Sequence, residues 1–171
     1  MAYLRLTDQV KTSRTLGLDS STARLFDWRN IVSAEANKAL IREFFEQVWN
    51  QGREEAIDRF IAENAGGNDP DFGMGREGFK QQWRKWRDAF PDIHFAIEEI
   101  IAEGDTVVAR WTLTGTQSGP FLGIAPTGRT IRVGGISMDH LRDGVLVSGF
   151  DGWDNLGLRQ QLGAIPEDTT E

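Results

Sequence analysis

The feature that most constrains this chain is a change of hydrophobic period near Ile93. From there, IHFAIEEIIAEGDTVVARWTLTGTQSG alternates apolar and polar residues on both sides of Glu103-Gly104-Asp105. Two alternating runs around a glycine that accepts positive φ predict an antiparallel hairpin. A longer connection, PFLGIAPTG, leads to RTIRVGGISMDHLRDG and VLVSGFDGWD, joined through Arg142-Asp143-Gly144 as a second hairpin turn. Before Ile93 the period is helical. Ile41, Phe44, Phe45 and Val48 keep i, i+3, i+4, i+7 spacing up to Gly52, and Ala56, Ile57, Phe60 and Ile61 share one face. Phe79, Trp83, Trp86 and Phe90 form a third helical stripe that ends at Pro91. Between the last two lies AENAGGNDPDFGMG, whose Gly, Asn, Asp and Pro predict a loop over Ala62 to Gly75. Helices followed by a run of antiparallel strands define an α+β domain in which a bent sheet wraps helices on one face.

Alternation also sorts the side chains of these strands. Trp111 falls in phase with Val107, Ala109 and Leu113 and is expected inside, with Arg110, Thr112, Thr114 and Thr116 on the other face. That polar face suits solvent or a subunit contact. His94 alternates with Ile93, Phe95 and Ile97 and is expected to point outward. A lone histidine on an amphipathic strand, as His140 is beside Asp139, reads as a surface group.

At 171 residues and 39% hydrophobic content the chain fits one globular domain with a sizeable core. Residues 1–33 keep no period for long and are expected to be a partly ordered extension, with the domain over 34–165 and a short tail over 166–171. The formal charge of −7 repels phosphate backbones, and no Lys/Arg stripe interleaved with aromatics opposes it, so nucleic acid is not an expected partner. No apolar run approaches the ~20 residues of a membrane span, and MAYLRLTDQVKTSR lacks a signal-peptide core, which predicts a soluble, cytoplasmic protein with no membrane partner. The chain has no cysteine and two histidines, without HExxH-type spacing. Oxygen and imidazole chemistry remains, and function without a metal or a cofactor is expected.

The blocks NKALIREFFEQVWNQG, GREGFKQQW, FPDIHFAIEEIIAEGDTVVARWTLTGTQSGPFLGIAPTGRTI and LRDGVLVSGFDGWDNLGLRQQLG, in this order, resemble the SnoaL-like polyketide cyclases of the NTF2-like superfamily. The resemblance spans about residues 35 to 163. It implies a cone-shaped barrel, with a curved antiparallel sheet wrapped around helices enclosing one pocket. It also implies a homodimer paired through a sheet face. Characterised members close a polyketide ring by intramolecular aldol condensation without metal or cofactor, and many others have no known activity.

That chemistry has simple requirements. A carbon between two carbonyls loses its proton to one carboxylate, provided partial desolvation raises the carboxylate's pKa toward working pH. Hydrogen-bond donors and aromatic walls complete such a site. The resemblance nominates Asp154 as acid/base, because the family's aspartate precedes a tail like LGLLRQLG, here LGLRQQLG. A competing reading has Asp154 cap the following helix near Gly157. Strand alternation sets Asp151 opposite Asp154, in a solvated or hydrogen-bonded surface role. Asn68 is the expected carbonyl partner, and Phe45, Trp83, Trp111 and Phe150 the expected walls around a small apolar or aromatic ligand. Ser148-Gly149-Phe150 stands where relatives commonly carry a histidine, and Asn68-Asp69-Pro70 where they often show His-Asp-Pro. Two functions follow: cofactor-independent ring closure or related proton transfer on an aromatic or polyketide ketone, and non-catalytic binding of a small apolar ligand in the same pocket.

Overall fold

A computed structural model of the chain describes residues 28–67 and 75–166, with side chains described from residue 33. The expected extension therefore lies largely outside the described residues, as does Asn68. The first helix among the described residues, α1 (Trp28–Phe44), already includes the last residues assigned to that extension. No glycine or proline interrupts the chain between Trp28 and Ala34, so nothing there stops the helix from starting early.

Helix α1 runs directly into a π-helical turn, Phe45–Asn50. The wider turn lets consecutive Phe44 and Phe45 both be buried, with ring centroids 5.6 Å apart. After a 3-10 turn (Glu54–Ala56), the short helix α2 (Ile57–Phe60) gives way to β1 (Ile61–Gly67). Most of β1 falls in the stretch that composition marks as loop. Its glycines and asparagine are poor strand formers, but parallel pairing with β5 (Val145–Trp153) supplies the backbone partners: Ile61 is paired with Leu146 and Gly66 with Ser148. The long amphipathic helix α3 (Gly75–Ala89) buries Phe79 and Trp83. Trp83 Nε1 donates to the Val48 carbonyl at 2.9 Å, fixing α3 against the π-helical turn.

The strands β2 (His94–Glu103), β3 (Thr106–Thr116) and β4 (Thr130–Arg142) complete a five-stranded sheet of order β1-β5-β4-β3-β2. All neighbours pair antiparallel except β1 and β5. Both expected hairpin turns form. Gly104 has φ +56°, and Asp143 and Gly144 have φ +53° and +77°, the left-handed pair that matches strand twist in a two-residue turn. Val107, Ala109, Trp111, Leu113, Ile131 and Val133 form the buried concave face. Arg110 lies on the convex face, its Nε 3.2 Å from a Glu99 carboxylate oxygen. His94 and His140 are exposed, and His140 Nδ1 lies 3.0 Å from the Thr106 hydroxyl. The final helix, α4 (Asn155–Gln161), is clamped to β4 by Gln161. Its Oε1 accepts from Arg132 N at 2.8 Å, and its Nε2 donates to the Arg132 carbonyl at 3.0 Å.

Candidate functional site

The concave face and the helices do not meet throughout. Between them lies a cavity with about 100 Å³ of space for the centres of water-sized molecules, enough for several waters or part of an organic ligand. Its walls are mainly aromatic, including Phe45, Trp49, Trp86, Phe95, Trp111 and Trp153. Phe95 links two expected wall residues, with ring centroids 5.4 Å from Phe45 and 5.0 Å from Trp111. Trp111 pairs across the sheet with Gly135, and a Cβ on Gly135 would overlap the indole. The bare backbone of β4 is what lets this ring lie against the sheet.

Beyond Gly135, β4 sets polar groups into the same face. Ser137 and Asp139 continue the inward phase of Ile131 and Val133, and they are only 3% and 7% exposed. Asp139 pairs with Gly149 and Ser137 with Asp151, so all four contribute to the cavity. A Cβ at Gly149 would sit 3.2 Å from Asp139 Oδ1, a tight approach that glycine relieves. Trp111 Nε1, Ser137 Oγ and Asp139 Oδ2 are buried without any hydrogen-bond partner in the protein. Each such atom costs about 1–3 kcal/mol, and all three belong to residues that line the cavity.

Burial pushes the Asp139 carboxyl up to about 8, and the nearby charge of Asp151 adds to the rise. The Ser137 hydroxyl acts in the other direction, but it stops short of a hydrogen bond to Asp139. Near neutral pH, Asp139 is therefore mainly a neutral acid in an aromatic cavity.

The expected site residues divide. Phe45 and Trp111 line the cavity. Trp83 is core, 7% exposed and outside the lining. Phe150 is corrected outright: its phase in β5 is opposite to Gly149, Asp151 and Trp153, so it points away from the cavity and is 53% exposed. Trp153 is the aromatic that β5 turns inward. Asp154 does not reach the cavity either. It lies past the end of β5, exposed, as the N-cap of α4, with Oδ1 accepting from Gly157 N at 2.8 Å. The capping alternative is what the geometry shows. Asp151 is exposed, as expected of a solvated group, and it also lines the cavity, on the inward phase of β5 with Gly149 and Trp153. Asp139 and Ser137 were not expected. Their signal was a carboxylate and a hydroxyl in phase with the apolar residues of their own strand.

Among the described residues, no group of three or more His, Cys, Asp or Glu is placed to hold a metal ion. No described helix is long and apolar enough to cross a membrane.

A curved sheet closed by helices over an aromatic cavity with buried polar groups is the architecture of NTF2-like pocket proteins. Residues 39–162 match the model of the SnoaL-like polyketide cyclases, and the chain belongs to that family. TsrD from Streptomyces laurentii is 32% identical, with a TM-score of 0.72 over 77% of this chain and 97% of that one. IdmH from Streptomyces antibioticus, described as a candidate polyketide cyclase, is 30% identical, with a TM-score of 0.64 over 74% and 98%. AclR from Streptomyces galilaeus, described as a candidate hydroxylase, is 26% identical, with a TM-score of 0.71 over 78% and 85%. None of the curated proteins matches the chain.

Proposed function

We propose that the cavity catalyses cofactor-independent proton transfer on an aromatic or polyketide ketone, leading to intramolecular aldol ring closure, with Asp139 rather than Asp154 as its acid. The observation that carries this reading is the Asp139 carboxyl, buried on the cavity-lining face of β4 with one oxygen left without a partner; that burial pushes its pKa up to about 8. An acid with a pKa close to working pH is suited to give a proton to an oxygen that becomes negative during reaction and to recover it afterwards. The aromatic walls suit a flat, mostly apolar substrate. Family membership and the candidate cyclase IdmH support the same chemistry. In this reading Asn68 remains a carbonyl partner, and the protein acts in the cytoplasm.

The convex face favours a homodimer. Ile136, Met138 and Phe150 are 48%, 38% and 53% exposed, and Met138 pairs directly with Phe150, so they form one apolar patch. Sedimentation of Phe150→Glu is expected to show a monomer, whereas an unchanged dimer would remove this assignment.

A second reading, a non-catalytic pocket for a small apolar ligand, is supported by Gly149, which lies against Asp139 where relatives commonly carry an imidazole. Turnover of a ring-closing diketone separates the two. The catalytic reading expects Asp139→Asn to lose roughly 100-fold or more in kcat and Asp154→Ala to keep wild-type turnover while losing about 1 kcal/mol of stability. Equal turnover in wild type and Asp139→Asn would exclude Asp139 as the acid, and ligand binding with no turnover by the wild type would favour the second reading.

A further inference from the structure

We infer that Asn50 is a positioning residue for ligand binding: its side chain pins the backbone of Phe95, and the Phe95 ring, so held, makes the cavity selective for flat ring systems. The inference rests on the cavity as the ligand site, which both readings above share, and on the role of neither carboxyl.

Phe95 sits at the centre of the aromatic wall. Its ring lies 5.4 Å from Phe45, 5.1 Å from Trp49 and 5.0 Å from Trp111, and all four residues line the cavity. Yet the sheet holds this residue from one side. Phe95 is the second residue of β2, which ends the sheet order, and among the described strands β3 is its one ladder neighbour, through Leu113. The register shifts between Ile97 and Glu99, close enough to loosen the ladder's hold on this end of the strand. The Asn50 amide stands where a second neighbour would. Its Oδ1 accepts from Phe95 N at 2.8 Å and its Nδ2 donates to the Phe95 carbonyl at 3.1 Å, the acceptor and donor that an adjacent strand would present.

Asn50 is itself firmly placed. It ends the π-helical turn, whose Val48 and Trp49 carbonyls accept from Trp83 Nε1 at 2.9 Å and Arg87 Nη1 at 3.1 Å on α3. Its Nδ2 also donates to the Glu46 carboxylate at 3.1 Å, which orients the amide. One six-residue turn therefore supplies two rings of the wall, Phe45 and Trp49, and the clamp that fixes a third. Rings held at fixed angles add about 0.5–1.5 kcal/mol per aromatic pair beyond the area they bury. A ring that swings keeps its apolar area but loses that contribution. Flat and puckered ligands of one size thus separate ring position from simple burial.

The test is isothermal titration of the full chain with 2-naphthol, which is flat, and trans-2-decalol, its puckered counterpart on the same carbon skeleton. The wild type is expected to prefer 2-naphthol by roughly five- to tenfold. Asn50→Ala should lose most of that preference, and Asn50→Asp, which keeps the acceptor but not the donor, should lower it. Phe95→Leu should lower it too, and adding Asn50→Ala to Phe95→Leu should lower it no further, because the amide acts through the ring. Melting temperature should fall with Asn50→Ala in both backgrounds, so loss of stability alone does not produce this pattern. An unchanged preference in Asn50→Ala, or an equal further loss in the Phe95→Leu background, would overturn the inference. If the alanine variant fails to fold, an unchanged preference in the near-isosteric Asn50→Asp overturns it as well. Equal binding of both probes by the wild type would sink this inference and leave both readings of function standing, whereas binding of neither would sink the ligand cavity itself.

Discussion

Asp139→Asn is expected to melt at a higher temperature than the wild type at pH 8, and by a margin that shrinks to nothing toward pH 4. The sign follows from proton linkage. The Asp139 carboxyl titrates near 3.8 in an ordinary setting and is pushed up to about 8 in the folded chain. Below pH 4 both states carry the proton and the residue has no pH-dependent effect. As pH rises through the window from 4 to 8, the unfolded chain releases the proton while the folded chain keeps it. The folded state then binds more protons than the unfolded one, so stability falls with rising pH. Above about 8 both are ionised and the loss is constant. A shift of this size corresponds to a penalty on the order of several kcal/mol, a large part of the 5–15 kcal/mol that stabilises typical domains. Asparagine keeps the shape and stays neutral at every pH, so it escapes the penalty. Thermal melts of both proteins from pH 4 to 9 check this, and parallel curves would contradict it. The same variant is the one expected to lose turnover, which separates its effect on function from any loss of fold.

Gly135→Ala is expected to cost about 1–3 kcal/mol and to abolish ligand binding, while Gly134→Ala, one residue away, should be close to neutral. The difference is a matter of strand face. A Cβ at Gly135 would run into the Trp111 ring, whereas at Gly134 nothing lies within 4 Å. Trp111 cannot simply retreat, because Phe95 packs 5.0 Å from it on the other side. The methyl group must therefore turn the indole into the cavity, where it would take ligand space and misplace Nε1. Tryptophan fluorescence and ligand titration of the two variants provide the comparison. Equal behaviour of the pair would mean that the ring is free to move and that the cavity shape does not depend on Gly135.

Much of this fold was written in local signals. Period-2 runs around Gly104 and Gly144 specified two hairpins, and the 3.6-residue stripe from Phe79 to Phe90 specified α3 because each signal sits within a few neighbouring residues. Strand β1 was hidden for the opposite reason. Gly66 and Gly67 have little strand preference of their own and become a strand only by pairing with Ser148 and Gly149, about eighty residues away.

The site was legible in kind but misread in register. The cavity does hold a carboxylate, Asp139, and Trp111 and Phe45 are among the aromatic residues that line it. Attention then went to Asp154, where the chain leaves the sheet and alternation stops carrying information. Applied along β4 from Ile131 and Val133, the same alternation reaches Asp139, and along β5 it selects Trp153 over Phe150. Bulk alone made Phe150 attractive as a wall, yet phase decides which side of a sheet a ring occupies.

The central claim is that Asp139 is a neutral acid inside the ligand cavity at physiological pH. Carbon-13 NMR of protein labelled at the aspartate carboxyl, with Asp139→Asn to assign the signal, reads this directly. The account predicts a resonance that remains in its protonated position through neutral pH and titrates at about 8. A signal for Asp139 that titrates near its ordinary value of 3.8 would contradict it.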